Sequence, residues 1–382
     1  MKLFRNILMI LGFTGILAMP YFFDRIGSRL GISLSGVTEA AAAPQFTSEA
    51  LMDGSLQSEL DSYVTEELPG RDVMIKVRNQ SIFSAFEKSP NQNIVIGKND
   101  NLFEDEYVCK YEKIYPPAEE AYVRELCDNL TFIRDRLSES GKEMYIFITP
   151  TKVRYYEEDV PDRFKAGAAF TDMPGNYEIF KEVLSDYDLK VYDSISYIDT
   201  IKDSFPYRLY HGTGTHWSWP LGTQVIIDMA AWLDEESSFS FSKGQMECVE
   251  VPEPVYPDAD IFDSLNLFLD PYDAPYYQAN FTCEPHEGER PRLFCRGGSF
   301  MGQSLTTLIR NGYFSGFTYV ENTNIFRDDL TSFETFSDYS EMDLAAELDA
   351  ADIVIFEVNE AHIPSMGFGI IEYIMEHPEV LS

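Results

Sequence analysis

The stretch "RLFCRGGSFMGQ", residues 292–303, decides how the chain is read. An apolar run, Arg292 to Cys295, leads into Gly297 and Gly298, and a segment with helical periodicity runs from Met301 to Asn311. The pattern predicts a buried strand that turns into a helix at Ser299. At such a turn the first N–H groups of the helix point outward at the positive end of its dipole, where an oxyanion is stabilised. The glycines allow tight turning and close approach of a substrate. Ser299 reads either as a nucleophile or as the N-cap of the helix, and the turn alone leaves both open.

The same rhythm extends on both sides. Gly70 to Phe86 reads as helix, and "NIVIGKNDNLF" (93–103) as strand, turn and strand. A helix from Pro117 to Ser140 with Gly141 just past its end, strand 143–150, helix 176–187, strand 189–193 and helix 221–235 follow. Strands 316–321 and 352–359 and a last helix near 364–375 complete the series. Alternation of this kind predicts an α/β fold, a parallel sheet flanked by helices. Residues 244–291 are rich in proline and acids and break the pattern, so an irregular insertion is expected there. The layout read from the sequence is an N-terminal segment (1–30), a small, polar tether (31–58) and one domain (59–382).

Composition narrows the partners. The formal net charge is −35, which disfavours nucleic acid as a partner. Lys2 and Arg5 precede an uncharged stretch from Ile7 to Phe23, at the short edge of the roughly 17 to 25 residues that span a bilayer. A signal-anchor with its basic end inside is the expectation, although the small residues of "EAAAAPQF" (39–46) also suit cleavage. Either outcome places the bulk of the chain outside the cytoplasm. The five cysteines, at 109, 127, 248, 283 and 295, leave room for one or two bridges and lack metal-ligand spacing. Asp258, Asp260 and Asp263 form a loose acidic cluster without the glycine and terminal glutamate of a calcium loop, so no metal or cofactor is expected.

A serine nucleophile needs a base, and "YHGTGTHWSWP" (210–220) supplies His211 and His216 just before a helix. The segment "TGTHW" resembles the T-D-T-H-W signature of the alginate O-acetyltransferase-like branch of the SGNH hydrolase superfamily. Further blocks resemble that family in the family's order: "PGRD" (69–72), the 93–103 hairpin, "TPTKVRYYEE" (149–158), "GGSF" (297–300) and "FEVNE" (356–360). The resemblance runs from about residue 60 to 360. It implies an SGNH hydrolase-like (flavodoxin-like) sheet in permuted order, with His216 before Ser299. It further implies Ser299 as acyl-carrying nucleophile, His216 as base, and the Ser299 N–H with Asn359 as oxyanion donors. Lys152, Tyr156 and Trp217 would line the substrate cleft.

Two departures bear on activity. The family's aspartate two residues before the histidine is Gly214 here, and the one before the serine is Gly298. Three functions therefore stand side by side. One is an extracytoplasmic O-acetyltransferase acting on a cell-surface or exported polysaccharide, fed by a membrane-bound O-acyltransferase as acetyl donor. The others are an acetyl esterase with the same residues, and a catalytically degenerate glycan-binding or scaffold protein of a polysaccharide secretion complex.

Overall fold

The computed structural model describes residues 2–36, 42–270, 273 and 275–381. Residues 39–41 of the small-residue stretch, and with them 37–38 of the expected tether, lie outside the described residues. The chain forms two compact units, Met1–Ile94 with Asp260–Tyr272, and Val95–Ala259 with Asp273–Ser382. The division between these units falls at Ile94. The stretch expected as tether is partly helical, because Thr47 caps a helix at Ser48–Asp53 through its hydroxyl and a second helix follows at Ser55–Glu66.

In the first unit, α1 (Lys2–Leu30) is about 43 Å long at 1.5 Å per residue, enough in length and composition to cross a membrane. Phe4, Ile10, Leu11, Phe13, Ile16 and Leu17 are all exposed along it. Its later turns pack on α2 (Arg71–Phe86), with Gly27 against Val73. Gly70 of the "PGRD" block marks the crossing point. Its φ is +71°, and a Cβ there would lie 2.5 Å from Asp24 N and 2.6 Å from Pro20 O.

The second unit holds the sheet. β1 (Ile94–Ile96) and β2 (Leu102–Glu104) form a hairpin turned through the left-handed Asn99 and Asp100. Then come α3 (Glu120–Glu139), β3 (Glu143–Thr149), α4 (Asn176–Leu184), β4 (Val191–Asp193), α5 (Ser194–Ile201) and α6 (Trp219–Glu236). After them follow β5 (Gly244–Val251), β6 (Tyr276–Cys283), β7 (Arg292–Gly297), α7 (Ser299–Arg310), β8 (Gly316–Glu321), β9 (Asn324–Arg327) and β10 (Glu334–Thr335). The last are α8 (Leu344–Ala350), β11 (Ile353–Asn359) and α9 (Ile370–Glu376).

The central sheet has the order β10-β9-β8-β7-β11-β3-β4. The five strands from β8 to β4 are parallel, whereas β9 and β10 add antiparallel pairs at one edge. The sheet is therefore mixed, not purely parallel, because β8 returns through a two-residue turn at Asn322-Thr323, with Asn322 left-handed. The expected irregular insertion is also partly regular. β5 and β6 pair antiparallel over their whole length, from Gly244 opposite Cys283 to Val251 opposite Tyr276. All five cysteines are free, so the one or two bridges left open by the sequence do not form.

Strand alternation divides the core into two layers. Val354, Phe356 and Val358 of β11 face the layer of α3, α4, α8 and α9, while Ile353 and Ile355 face that of α6 and α7. Glu357 shares the parity of the second set and so belongs to the α7 side. The C-terminal ends of β3, β7 and β11 meet at one edge, where ligand sites of open α/β sheets form. We predict that Gly70→Ala destabilises the first unit by about 1 to 3 kcal/mol through backbone strain and the clash with α1. Limited proteolysis should then cut between α1 and α2 faster than in the wild type.

Candidate active site

Ser299 is the first residue of α7 and not its cap. Gly298 holds the N-cap position with an extended backbone and no side-chain cap. The Ser299 hydroxyl is therefore released from capping and, on an exposed residue, lies 2.7 Å from Nε2 of His216, which is 7% exposed. The two residues come from segments 83 residues apart. With the imidazole neutral and protonated at Nδ1, the Ser299 O–H donates to Nε2. The backbone N–H of Ser299 opens α7 at the positive end of the helix dipole.

The histidine loop is fixed from three directions. Ser218 caps α6 by accepting from Leu221 N–H, and its hydroxyl donates to Arg208 O at 2.6 Å. The His216 ring packs on Phe300, 4.7 Å between centroids, and Trp217 meets the same ring edge-on. Lys152, 2% exposed, donates from Nζ to Leu102 O, His211 O, Gly212 O and Gly214 O at 2.7 to 3.1 Å. Below the loop, Asp273 accepts from Gly212 N–H at 2.5 Å and lies 3.0 Å from His211 Nδ1.

The two glycines at the family's aspartate positions have definite occupants in front of them. A Cβ on Gly214 would stand 2.7 Å from Asp258 O, so the backbone at Pro257-Asp258 fills the space an aspartate side chain would need. Asp258 is 1% exposed, its carbonyl accepts from Thr213 Oγ1 at 3.0 Å, and its carboxylate is 3.9 Å from His211 Nε2. At Gly298 the occupant is the carboxyl of Glu357, which accepts from the Gly298 N–H at 2.6 Å and from the Thr149 hydroxyl at 2.7 Å. Burial pushes the Glu357 carboxyl up to about 7, with Glu321 adding to the rise and Gly298, Thr149 and Arg296 opposing it. Burial likewise raises Glu321, which the nearby His216 partly offsets.

The structure brings Ser299 and His216 together and distributes the remaining candidates differently. Asn359 uses its amide on the backbone, donating to Pro150 O at 3.0 Å and accepting from Ala361 N–H at 3.1 Å as a helix cap. Lys152 is committed to the four carbonyls, Trp217 is fully buried, and Tyr156 donates to Tyr210 O at 3.3 Å. These four are supports of the site. Among the described residues no group of three or more His, Cys, Asp or Glu is placed to hold a metal ion. Sequence reasoning did not single out Glu357 or Asp258, the acids that lie beside the two glycines. A lone carboxylate inside the apolar run "IVIFEVN" (353–359) was the readable signal for Glu357, whereas nothing local marks Asp258.

A separate cavity of about 460 Å³ opens beside the ends of β3 and β11, lined by Tyr111, Glu112, Lys113, Arg154, Tyr177 and Glu360 among others. Arg154 pairs with Glu360 and sits over the rings of Tyr177 and Tyr111. Glu360 accepts from the Thr151 N–H at 2.7 Å.

The fold is an α/β sheet flanked by helices, consistent with an SGNH-like architecture, and it sets Ser299 against His216 at a strand-to-helix turn. Within that class the chain resembles the alginate O-acetyltransferase-like branch. No family model matches it, and no curated protein matches it. Among solved structures it is similar to the O-acetyltransferase domain of Pseudomonas putida AlgJ, with TM-score 0.44 and 16% identity over 71% of this chain and 92% of that one. Bacillus cereus PatB1 gives TM-score 0.44 and 10% identity over 72% and 97%. Pseudomonas aeruginosa AlgX gives TM-score 0.44 and 15% identity over 74% and 68%. Similarity at this level assigns no residue a role.

Lys152→Met should expose the dependence of the site on its support. Four buried carbonyls lose the ammonium, although Gly212 O keeps the Leu102 N–H and His211 O the Gly214 N–H, and unfolding in urea is expected to show a loss of about 3 to 5 kcal/mol. A stability equal to wild type would mean that the ammonium does not hold the loop.

Proposed function

We propose that the chain is an extracytoplasmic, membrane-tethered O-acetyltransferase that moves an acetyl group onto a hydroxyl of a polysaccharide through Ser299. The observation that carries this reading is the 2.7 Å contact between an exposed Ser299 Oγ and a buried His216 Nε2 at the start of α7. In the first half-reaction His216 takes the proton of Ser299 as Oγ bonds to the acetyl carbonyl carbon. The oxyanion forms at the N–H end of α7, and its collapse expels the donor's leaving group, which receives the proton from His216. In the second half-reaction an acceptor hydroxyl gives its proton to His216 and attacks the acetyl-serine, and Ser299 leaves with that proton. Water in place of the sugar hydroxyl gives the esterase reaction with the same residues.

The carboxylate we assign to His216 is Asp258. Its backbone takes the place in front of Gly214, and its side chain is buried beside the histidine loop. A partner of this kind holds the imidazole tautomer and stabilises the imidazolium. An acetyl group handed across the bilayer by a membrane-bound O-acyltransferase fits a tether such as α1. An exposed serine seated on a buried base favours an enzyme over a binding protein.

The test uses p-nitrophenyl acetate with the intact chain in detergent. Release of p-nitrophenol should fall by at least about 10⁴-fold in Ser299→Ala, with unchanged thermal unfolding. Equal rates in wild type and Ser299→Ala would overturn the reading. Asp258→Asn should lower kcat by about 100-fold to 10⁴-fold while KM moves little. An undiminished kcat would remove Asp258 from the site.

A further inference from the structure

Glu357 is the one ionisable side chain on β11, in a strand whose seven residues are all buried. Strand parity turns it toward α7, and its two oxygens divide between two neighbours. Oε2 takes the Gly298 N–H at 2.6 Å, and Oε1 takes the Thr149 hydroxyl at 2.7 Å. A Cβ on Gly297 would come within 3.0 Å of Oε2, and one on Gly298 within 3.5 Å. The carboxyl therefore fills the space beside both glycines that precede Ser299.

We propose that Glu357 is the positioning residue of the nucleophile turn, supplying from the neighbouring strand the carboxyl that position 298 lacks, and that it does so in its protonated form. Its contact fixes one side of the Gly298 residue, while the Tyr319 hydroxyl, donating to Gly298 O at 2.7 Å, fixes the other. Together they set the peptide that leads into Ser299, and so the direction of its N–H and Oγ. In the neutral carboxyl the C=O accepts from Gly298 N–H and the O–H donates to Thr149 Oγ1, so both contacts persist without a buried charge.

The surroundings favour that form. Cys295 faces Glu357 from β7, Tyr319 and Glu321 from β8, and Thr149 from β3, while Arg296 of β7 projects from the other face of the sheet, opposite Phe356. The Arg296 guanidinium is turned to Tyr339, Gly297 O, Val320 O and Asn322 O on that face. Glu321 opposes a second negative charge. Burial raises the carboxyl to about 7, so it ionises as the solution passes neutrality. The charge then appears behind the site where the oxyanion forms, and acyl transfer slows.

This inference rests on the transferase reading for its kinetic consequence but not for its titration, and the experiment separates them. In acetyl-ester turnover, Glu357→Ala should lower kcat by up to about 100-fold with KM nearly constant, and Glu357→Gln should recover most of that loss. The decline of wild-type kcat above about pH 7 should be absent from Glu357→Gln. Identical pH profiles for wild type and Glu357→Gln, or a wild-type kcat in a folded Glu357→Ala, would overturn the proposal.

Urea unfolding gives a readout that needs no turnover. The folded-state carboxyl is raised from its ordinary 4.5 to about 7, so its contribution to stability is complete below pH 4.5 and is lost as pH rises to about 7. Wild type should therefore lose stability relative to Glu357→Gln across that interval. If it does and no ester is turned over, the transferase reading fails and the protonated carboxyl stands. If the difference stays flat, the proposal fails whatever the turnover.

Discussion

An ammonium ion buried beneath the histidine loop is the constraint on which the site depends. Lys152 lies just past the end of β3, and in that interior its charge is tolerable because four carbonyls surround it. One carbonyl belongs to β2 and three to residues 211–214, so satisfying the cation draws the hairpin and the loop to the edge of the sheet. Phe103 adds its ring face at 5.1 Å. His216 then has a defined place from which to meet Ser299. The lysine works as a clasp for the histidine loop.

The second constraint is what surrounds two glycines. At Gly214 another stretch of backbone passes where a side chain would project, and beside Gly298 the Glu357 carboxyl lies in ordinary contact at 3.5 Å from a Cβ position. In each case the neighbouring residue is a buried acid, Asp258 or Glu357, delivered by a different element. A family pattern that keeps its acids next to the serine and the histidine in sequence is here spread over four segments. Local loss of an aspartate is thus compatible with a carboxyl at the site. The two acids differ in kind: Glu357 is held between the Gly298 N–H and the Thr149 hydroxyl, whereas Asp258 lies beside the paired His211 and Asp273.

Much of the sheet was legible because its strands are short apolar runs separated by amphipathic helices with glycine and proline at their ends. Position alone left Ser299 open between nucleophile and cap; the family-like blocks in order singled out Ser299 and His216, and the fold brings the two into contact. The order of strands in space was not. β11, from the end of the chain, inserts between β7 and β3, and only that insertion places Glu357 behind Gly298. The β5–β6 ribbon was taken for irregular chain, although Gln245, Met246, Glu247 and Cys248 alternate between exposed and half-buried. Its half-buried face carries too little apolar contrast to announce a strand. Asn359, Lys152 and Trp217 stand in or beside the family blocks, yet each turns to backbone or core, because a shared block can preserve a fold as readily as a site.

The central claim is that Ser299 carries an acyl group, and peptide mass spectrometry after a brief reaction with an acetyl ester and an acid quench tests it most directly. One acetyl mass on the peptide that contains Ser299, absent after prior substitution of that serine by alanine, is the predicted result. An unmodified Ser299 peptide under conditions where the ester is being consumed would contradict the account.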